Sequence, residues 1–133
     1  MKCIVFYESW QLECCGTPFS IGDSVKWLVD KTEHLNTPVD VGTINYCYEA
    51  HSKDWQKLFV LEGKVETIKI LYELFRPSEE NPRFLIAVDG KMIDAAKAEG
   101  FDKDIDDMKS SGYIVLLNEC TIRPAKKEEV TFQ

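Results

Sequence analysis

The chain has 133 residues and a mass of 15.3 kDa, a size that suits one domain, 1–133, whose core can close without metal or disulfide staples. Hydrophobic residues make up 44% and charged residues 29%, which excludes disorder, collagen and coiled coil; the longest apolar runs, 84–88 and 113–117, are five residues each, against the ~20 of a membrane helix. A formal charge of −7, split as −4 over residues 1–66 and −3 over 67–133, leaves no basic face for nucleic acid and predicts neither a nucleic-acid nor a membrane partner.

The opening residues Met1–Glu8 lack the small-residue cleavage site of a signal peptide, which points to the cytoplasm. In that compartment the five cysteines, an odd number, are expected mostly as reduced thiols.

Residues 3–7 are apolar, β-branched and aromatic, and predict a buried strand. Trp10 to Pro18 reads as a loop, because Gly16 and Pro18 punctuate it. Gly22-Asp23 signals a turn, and Val25, Trp27 and Val29 alternate with Lys26, Leu28 and Asp30 to give a second strand with one apolar face. Residues 31–42 form a loop. Ile44, Tyr46 and Tyr48 alternate with Asn45, Cys47 and Glu49 on a third strand, whose polar face carries Cys47, Glu49 and His51.

Further pairing is expected of 57–61 and 65–75, with Glu62-Gly63 as a turn between them. Arg76–Pro82, with two prolines, reads as a loop and a boundary between subregions. Residues 84–88 and 91–94 predict a hairpin closed at Asp89-Gly90 by a type I′ turn. Residues 95–99 and 105–109 have helix-favouring composition, ended by Gly100 and Gly112. Residues 113–117 and 119–122 give a last strand, stopped by Pro124. The expected fold is therefore mainly β, a small, partly open antiparallel barrel of SH3-like or OB-like type with a short helical insertion near 95–110.

The stretch Trp10-Gln11-Leu12-Glu13-Cys14-Cys15-Gly16-Thr17-Pro18-Phe19, followed by Gly22-Asp23-Ser24-Val25, resembles a family of small bacterial proteins of unknown function. These share a W-Q-x-x-C-C-G-x-P-F opening and a G-D-x-V strand start. Glu49-Ala50-His51 and Gly63-Lys64-Val65 look like the downstream pattern of that family, so the resemblance covers residues 5–70. It implies no activity.

Cys14, Cys15, Cys47 and His51 could supply thiolates and imidazole to a tetrahedral zinc ion, although adjacent residues direct their side chains apart. On a straight strand Cys47 and His51 would stand about 13 Å apart, at ~3.3 Å per residue, so a bulge or turn would have to bring them together. A thiol nucleophile with His51 as base and Glu49 as orienter lacks any accompanying signature. A Cys14–Cys15 disulfide would close a strained ring that a reducing cytosol opposes. Asp102, Asp104 and Asp106 match the first oxygen positions of a calcium loop, but Asp107 stands where that loop needs glycine. No phosphate-cradling glycine spacing is present.

The aromatic residues remain. Trp10 and Trp55 fall in polar, turn-like surroundings, where an indole serves as a recognition anchor. The sequence thus points to a non-enzymatic binding or adaptor module that meets a protein or peptide through Trp10, Gln11, Phe19 and Trp55, with no cofactor. The alternative is a zinc- or thiol-dependent protein. Long edge strands leave a homodimer open.

Overall fold

The computed structural model describes residues 1–31, 37–49 and 54–130. The chain builds eight strands: β1 Cys3–Glu8, β2 Phe19–Ser20, β3 Ser24–Lys31, β4 Tyr46–Tyr48, β5 Phe59–Pro77, β6 Leu85–Ala95, β7 Lys97–Ala98 and β8 Lys109–Pro124. One α-helix, α1 Ser9–Cys14, follows β1, and single 3-10 turns lie at Trp55–Lys57 and Lys127–Glu129.

Six strands form one sheet in the order β3-β4-β1-β8-β5-β6, and β3 also pairs with β5. Five strands thereby close into a ring, and β6 stands outside it. All these pairings are antiparallel except β1 with β4, which run parallel with Val5 opposite Tyr46 and Phe6 opposite Cys47. The expectation of a wholly antiparallel sheet is corrected there, because α1, β2 and β3 intervene and give the chain length enough to cross over.

The 19-residue β5 organises this arrangement. Its first part pairs with β3 (Val29 opposite Phe59 through Ser24 opposite Lys64), and its second part with β6 (Ile68 opposite Ala95 through Pro77 opposite Leu85). Its other edge holds β8 from Phe59 to Glu73, with register shifts at Glu62/Lys64, Val65/Thr67 and Leu71/Tyr72. Such shifts bend a strand and raise its twist, which lets one strand serve two neighbours in succession.

Alternation along these strands sorts the side chains. The main core takes Val5 and Tyr7 of β1, Trp27 and Val29 of β3, Ile68, Ile70 and Tyr72 of β5 and Tyr113, Val115 and Leu117 of β8, with Tyr46 and Tyr48 packed against it. On the opposite face Phe6, Leu71 and Ile114 are covered by Val39, Val41 and Ile44. A third cluster, Leu58, Val60, Ala125 and Val130, packs against Trp55.

Five sequence expectations are corrected. Glu62-Gly63 is no turn: β5 runs through it, and Gly63 occupies a bulge. Asp89-Gly90 is no turn either, since β6 is continuous there and a Cβ on Gly90 would come 2.8 Å from the Tyr72 carbonyl oxygen; glycine serves close approach. The reversal lies instead at 78–84, where Ser78 N donates to Phe84 O, so the expected boundary joins two strands of one sheet.

The helical insertion at 95–110 is also absent, replaced by β7 and a turn in which Ile105 and Met108 exchange backbone hydrogen bonds. Tertiary bonds override its composition: the Asp102 carboxylate accepts from Tyr113 Oη and, at 3.3 Å, from Ser110 Oγ, while Gly100 N donates to Tyr113 Oη. Asp106 and Asp107 take positive φ in the turn, and Asp106 pairs with Lys91 at 2.6 Å. The helix lies instead where a loop was expected, because Gln11 and Leu12 bury against the sheet.

At the chain's far end Arg123 grips Glu129 through two hydrogen bonds of 2.7 and 2.6 Å, and Lys126 N donates to the same carboxylate. The Arg123 bonds, then the Lys126 N–H, hold the Glu129 carboxyl at about 2, below its ordinary 4.5. A depressed carboxyl stabilises the fold above its unfolded value and loses that effect as pH falls toward its folded one. NMR titration should place Glu129 near 2 in the native protein, and Arg123→Gln should return it toward 4.5.

Candidate functional site

Two cavities flank α1. The first, about 430 Å³, is lined by Tyr7, Cys15, Gly16, Phe19, Lys26, Trp27 and Tyr48, among others. Its aromatic walls are spent on one another: Tyr7 stacks on Tyr48 at 3.8 Å, and Trp27 meets Tyr7 and Phe19 edge-on at 5.3 and 5.0 Å. Burial, then the hydrogen bond to Tyr48, pushes the Tyr7 hydroxyl above its ordinary value, so it stays protonated. The loop after α1 lies directly on this hydroxyl. A Cβ on Gly16 would stand 2.1 Å from Tyr7 Oη and 3.0 Å from Leu12 Cδ1.

The second cavity, about 450 Å³, lies between α1 and the ends of β5 and β8. Phe6, Trp10 and Phe75 supply apolar walls, and Glu8, Glu13, Glu73, Ser9, Ser110 and Ser111 supply acceptors, with Lys109 as the cation on the lining. Trp10 is 50% exposed, yet its direction is set, because its indole Nε1 donates to Glu8 Oε2 at 2.8 Å. Glu8 Oε1 in turn accepts from Gln11 Nε2 at 3.3 Å, and that amide also donates to Tyr48 O. Ser9 Oγ bonds Ser110 Oγ at 2.8 Å and ties the start of α1 to β8.

Glu73 departs from this pattern of matched groups. It is only 7% exposed, and its Oε2 has no hydrogen-bond partner among the described residues, nor has the buried Ser111 Oγ. Lys109 stands opposite Glu73 in the β5–β8 ladder but forms no ion pair with it among the described residues. Sequence reasoning missed Glu73, since an acid within an alternating strand reads as a solvated one.

The expected binding residues separate. Trp10 lines the second cavity, Gln11 is fully buried as a strut beneath it, and Phe19 lies buried in the floor of the first cavity. Trp55 packs beside Leu58 and Val60, and Val60 lies fifteen residues along β5 from Phe75, which is about 50 Å of extended chain. Trp10 and Trp55 therefore do not share one surface.

Of the four expected zinc ligands, three lie among the described residues. Cys14 and Cys15 are disulfide-bonded to each other, correcting the expectation of reduced thiols there, and a bonded sulfur is not the thiolate that zinc takes. Cys47 packs with Phe6, Ile44 and Leu71, and His51 lies outside the described residues. Among the described residues no group of three or more His, Cys, Asp or Glu could hold a metal ion. Cys3 and Cys120 are free and buried; burial, then the hydrogen bond to Cys120, pushes the Cys3 thiol up to about 11.

Two measurements check this geometry. Gly16→Ala should destabilise the fold by about 1–3 kcal/mol in urea unfolding, as overpacked cores do, because the ring of Tyr7 cannot retreat from Tyr48. Thiol labelling without reductant should modify Cys47 ahead of Cys3 and Cys120 and reach three sites on unfolding. Five sites would contradict the Cys14–Cys15 bond, and elemental analysis of the same sample tests for zinc.

No helix among the described residues is long and apolar enough to cross a membrane. A model of a family of unknown function (DUF6578) matches residues 1–119 and so extends beyond the stretch 5–70 that carries the motif resemblance. No curated protein and no solved structure matches the chain significantly.

Proposed function

The chain belongs to this family of unknown function, so its role is read from its own site, and we propose that it is a non-enzymatic binding module of the bacterial cytosol that takes a peptide segment of a protein partner at the cavity beside α1. One observation carries the reading: Trp10 is half exposed yet anchored by Glu8 at 2.8 Å over a cavity of about 450 Å³. An exposed indole that is already oriented loses little freedom on binding, which is what makes aromatic anchors efficient.

The cavity's size suits one or two side chains, and its rim of acids and hydroxyls suits the polar groups of a peptide. The other parts of the motif act in support. Gln11 braces Glu8, and Gly16 lets the following loop close on Tyr7, which places α1 firmly against the sheet.

Selection from a displayed library of random peptides tests this reading. The wild-type protein should enrich a defined set of sequences, Trp10→Ala should lose at least ten-fold in affinity for them with an unchanged circular dichroism spectrum, and Trp55→Ala should keep them. No enrichment by the wild type, or equal binding by Trp10→Ala, overturns it.

A further inference from the structure

From the buried carboxylate we infer that the anchor taken by this cavity is an alkylammonium group, as at the end of a lysine side chain; the inference rests on the proposed peptide reading for the source of that group but not for its chemistry. A carboxylate taken out of water needs donors to replace those it loses, and most buried acids find them inside the protein. Glu73 does not: it is 7% exposed, lines the cavity, and its Oε2 is unpartnered among the described residues. Ser111 Oγ, on the adjoining strand and on the same lining, is a second unused acceptor.

The surroundings select the sign and shape of the missing donor. Among the described residues Glu8 and Glu13 add two more acids to the lining against one cation, Lys109, so the cavity favours a cation over an anion. Trp10, Phe6 and Phe75 would cover the methylene stem of a lysine, and the indole face of Trp10 adds cation–π attraction. An ammonium offers three donors in a compact head, which suits separate acceptors on different strands; a guanidinium offers a planar fork, which suits paired oxygens. The Glu8 oxygens are each already taken, by Trp10 and Gln11, which leaves Glu73 Oε2 as the free carboxylate oxygen of the best-buried acid.

The test compares four probes by NMR titration, read at the Trp10 indole N–H: the N-acetyl methylamides of lysine, arginine and norleucine, and free n-butylammonium. The lysine probe should bind at least ten-fold more tightly than the norleucine probe, and more tightly than the arginine probe. Glu73→Gln should lose at least ten-fold of the lysine affinity without lowering the melting temperature. Lys109→Gln, on an exposed side chain, should strengthen lysine binding several-fold by removing a like charge, whereas a site for anions would weaken.

Equal binding of lysine and norleucine probes, tighter binding of arginine, or no effect of Glu73→Gln overturns the inference. Peptides that bind equally well after lysine is exchanged for norleucine leave the peptide reading standing and overturn this one. Binding of butylammonium with no peptide enriched does the reverse.

Discussion

The arrangement depends on a single strand being shared. β5 has β8 along one edge, while its other edge passes from β3 to β6, and without that change of partner the ring could not close and β6 would have no place. A straight strand of nineteen residues would carry its two halves too far apart to serve both. The bulges at Glu62/Lys64, Val65/Thr67 and Leu71/Tyr72 provide the bend, and each also resets which face a residue takes. The bulge at Val65/Thr67 is why Leu61 and Val65, at odd positions, share the main core with Ile68, Ile70 and Tyr72, at even ones, while plain alternation sends Leu71 to Phe6 and Ile114 on the other side.

β1 ties the core to the candidate site, since it carries both Tyr7 and Glu8. Tyr7 stacks on Tyr48 within the ring, and the loop at Gly16 rests on its hydroxyl, so α1 is seated by aromatic packing worth about 0.5–1.5 kcal/mol per pair beyond burial itself. From that seat Gln11 reaches Glu8, and Glu8 holds the indole of Trp10. The residues of the Trp-Gln…Cys-Cys-Gly stretch therefore act as one lever. Its buried end fixes the angle of its exposed end.

What could be read from the sequence follows the range of the interaction that decides each element. β1 was legible from its apolar run of β-branched and aromatic residues 3–7, and β3 from the alternation of Val25, Trp27 and Val29, both local signals that burial enforces. β5 was not, because Glu62-Gly63 imitates a turn and the bulges break the period of two. Asp89-Gly90 misled for a related reason: glycine there answers the Tyr72 carbonyl on the neighbouring strand. Residues 95–109 have the composition of a helix, but Asp102 is claimed by Tyr113 and Ser110, which no local propensity can express. The exposure of Trp10 was legible from its polar neighbours. Glu73 was hidden, since the cavity it lines is shared with α1, Phe6 and Ser110, all distant in sequence.

That hidden acid is also where the fold works against itself. An unsatisfied buried polar group costs about 1–3 kcal/mol, and an apolar side chain of similar length would remove the cost at once. The fold can carry it because β5 is held on both edges at that point, with Gly90 opposite Glu73 on one side and Lys109 on the other. The strand is thereby held against fraying at Glu73, and no ion pair with Lys109 forms among the described residues. An acceptor oxygen held in such a setting, on a strand paired along both edges, has less water to give up when a donor arrives than an exposed one would. The adjoining aromatic cavity is the opposite case, since stacking among Tyr7, Tyr48, Trp27 and Phe19 already satisfies its walls. Of two cavities nearly equal in size, the one with an unmet electrostatic demand has the stronger physical reason to be filled.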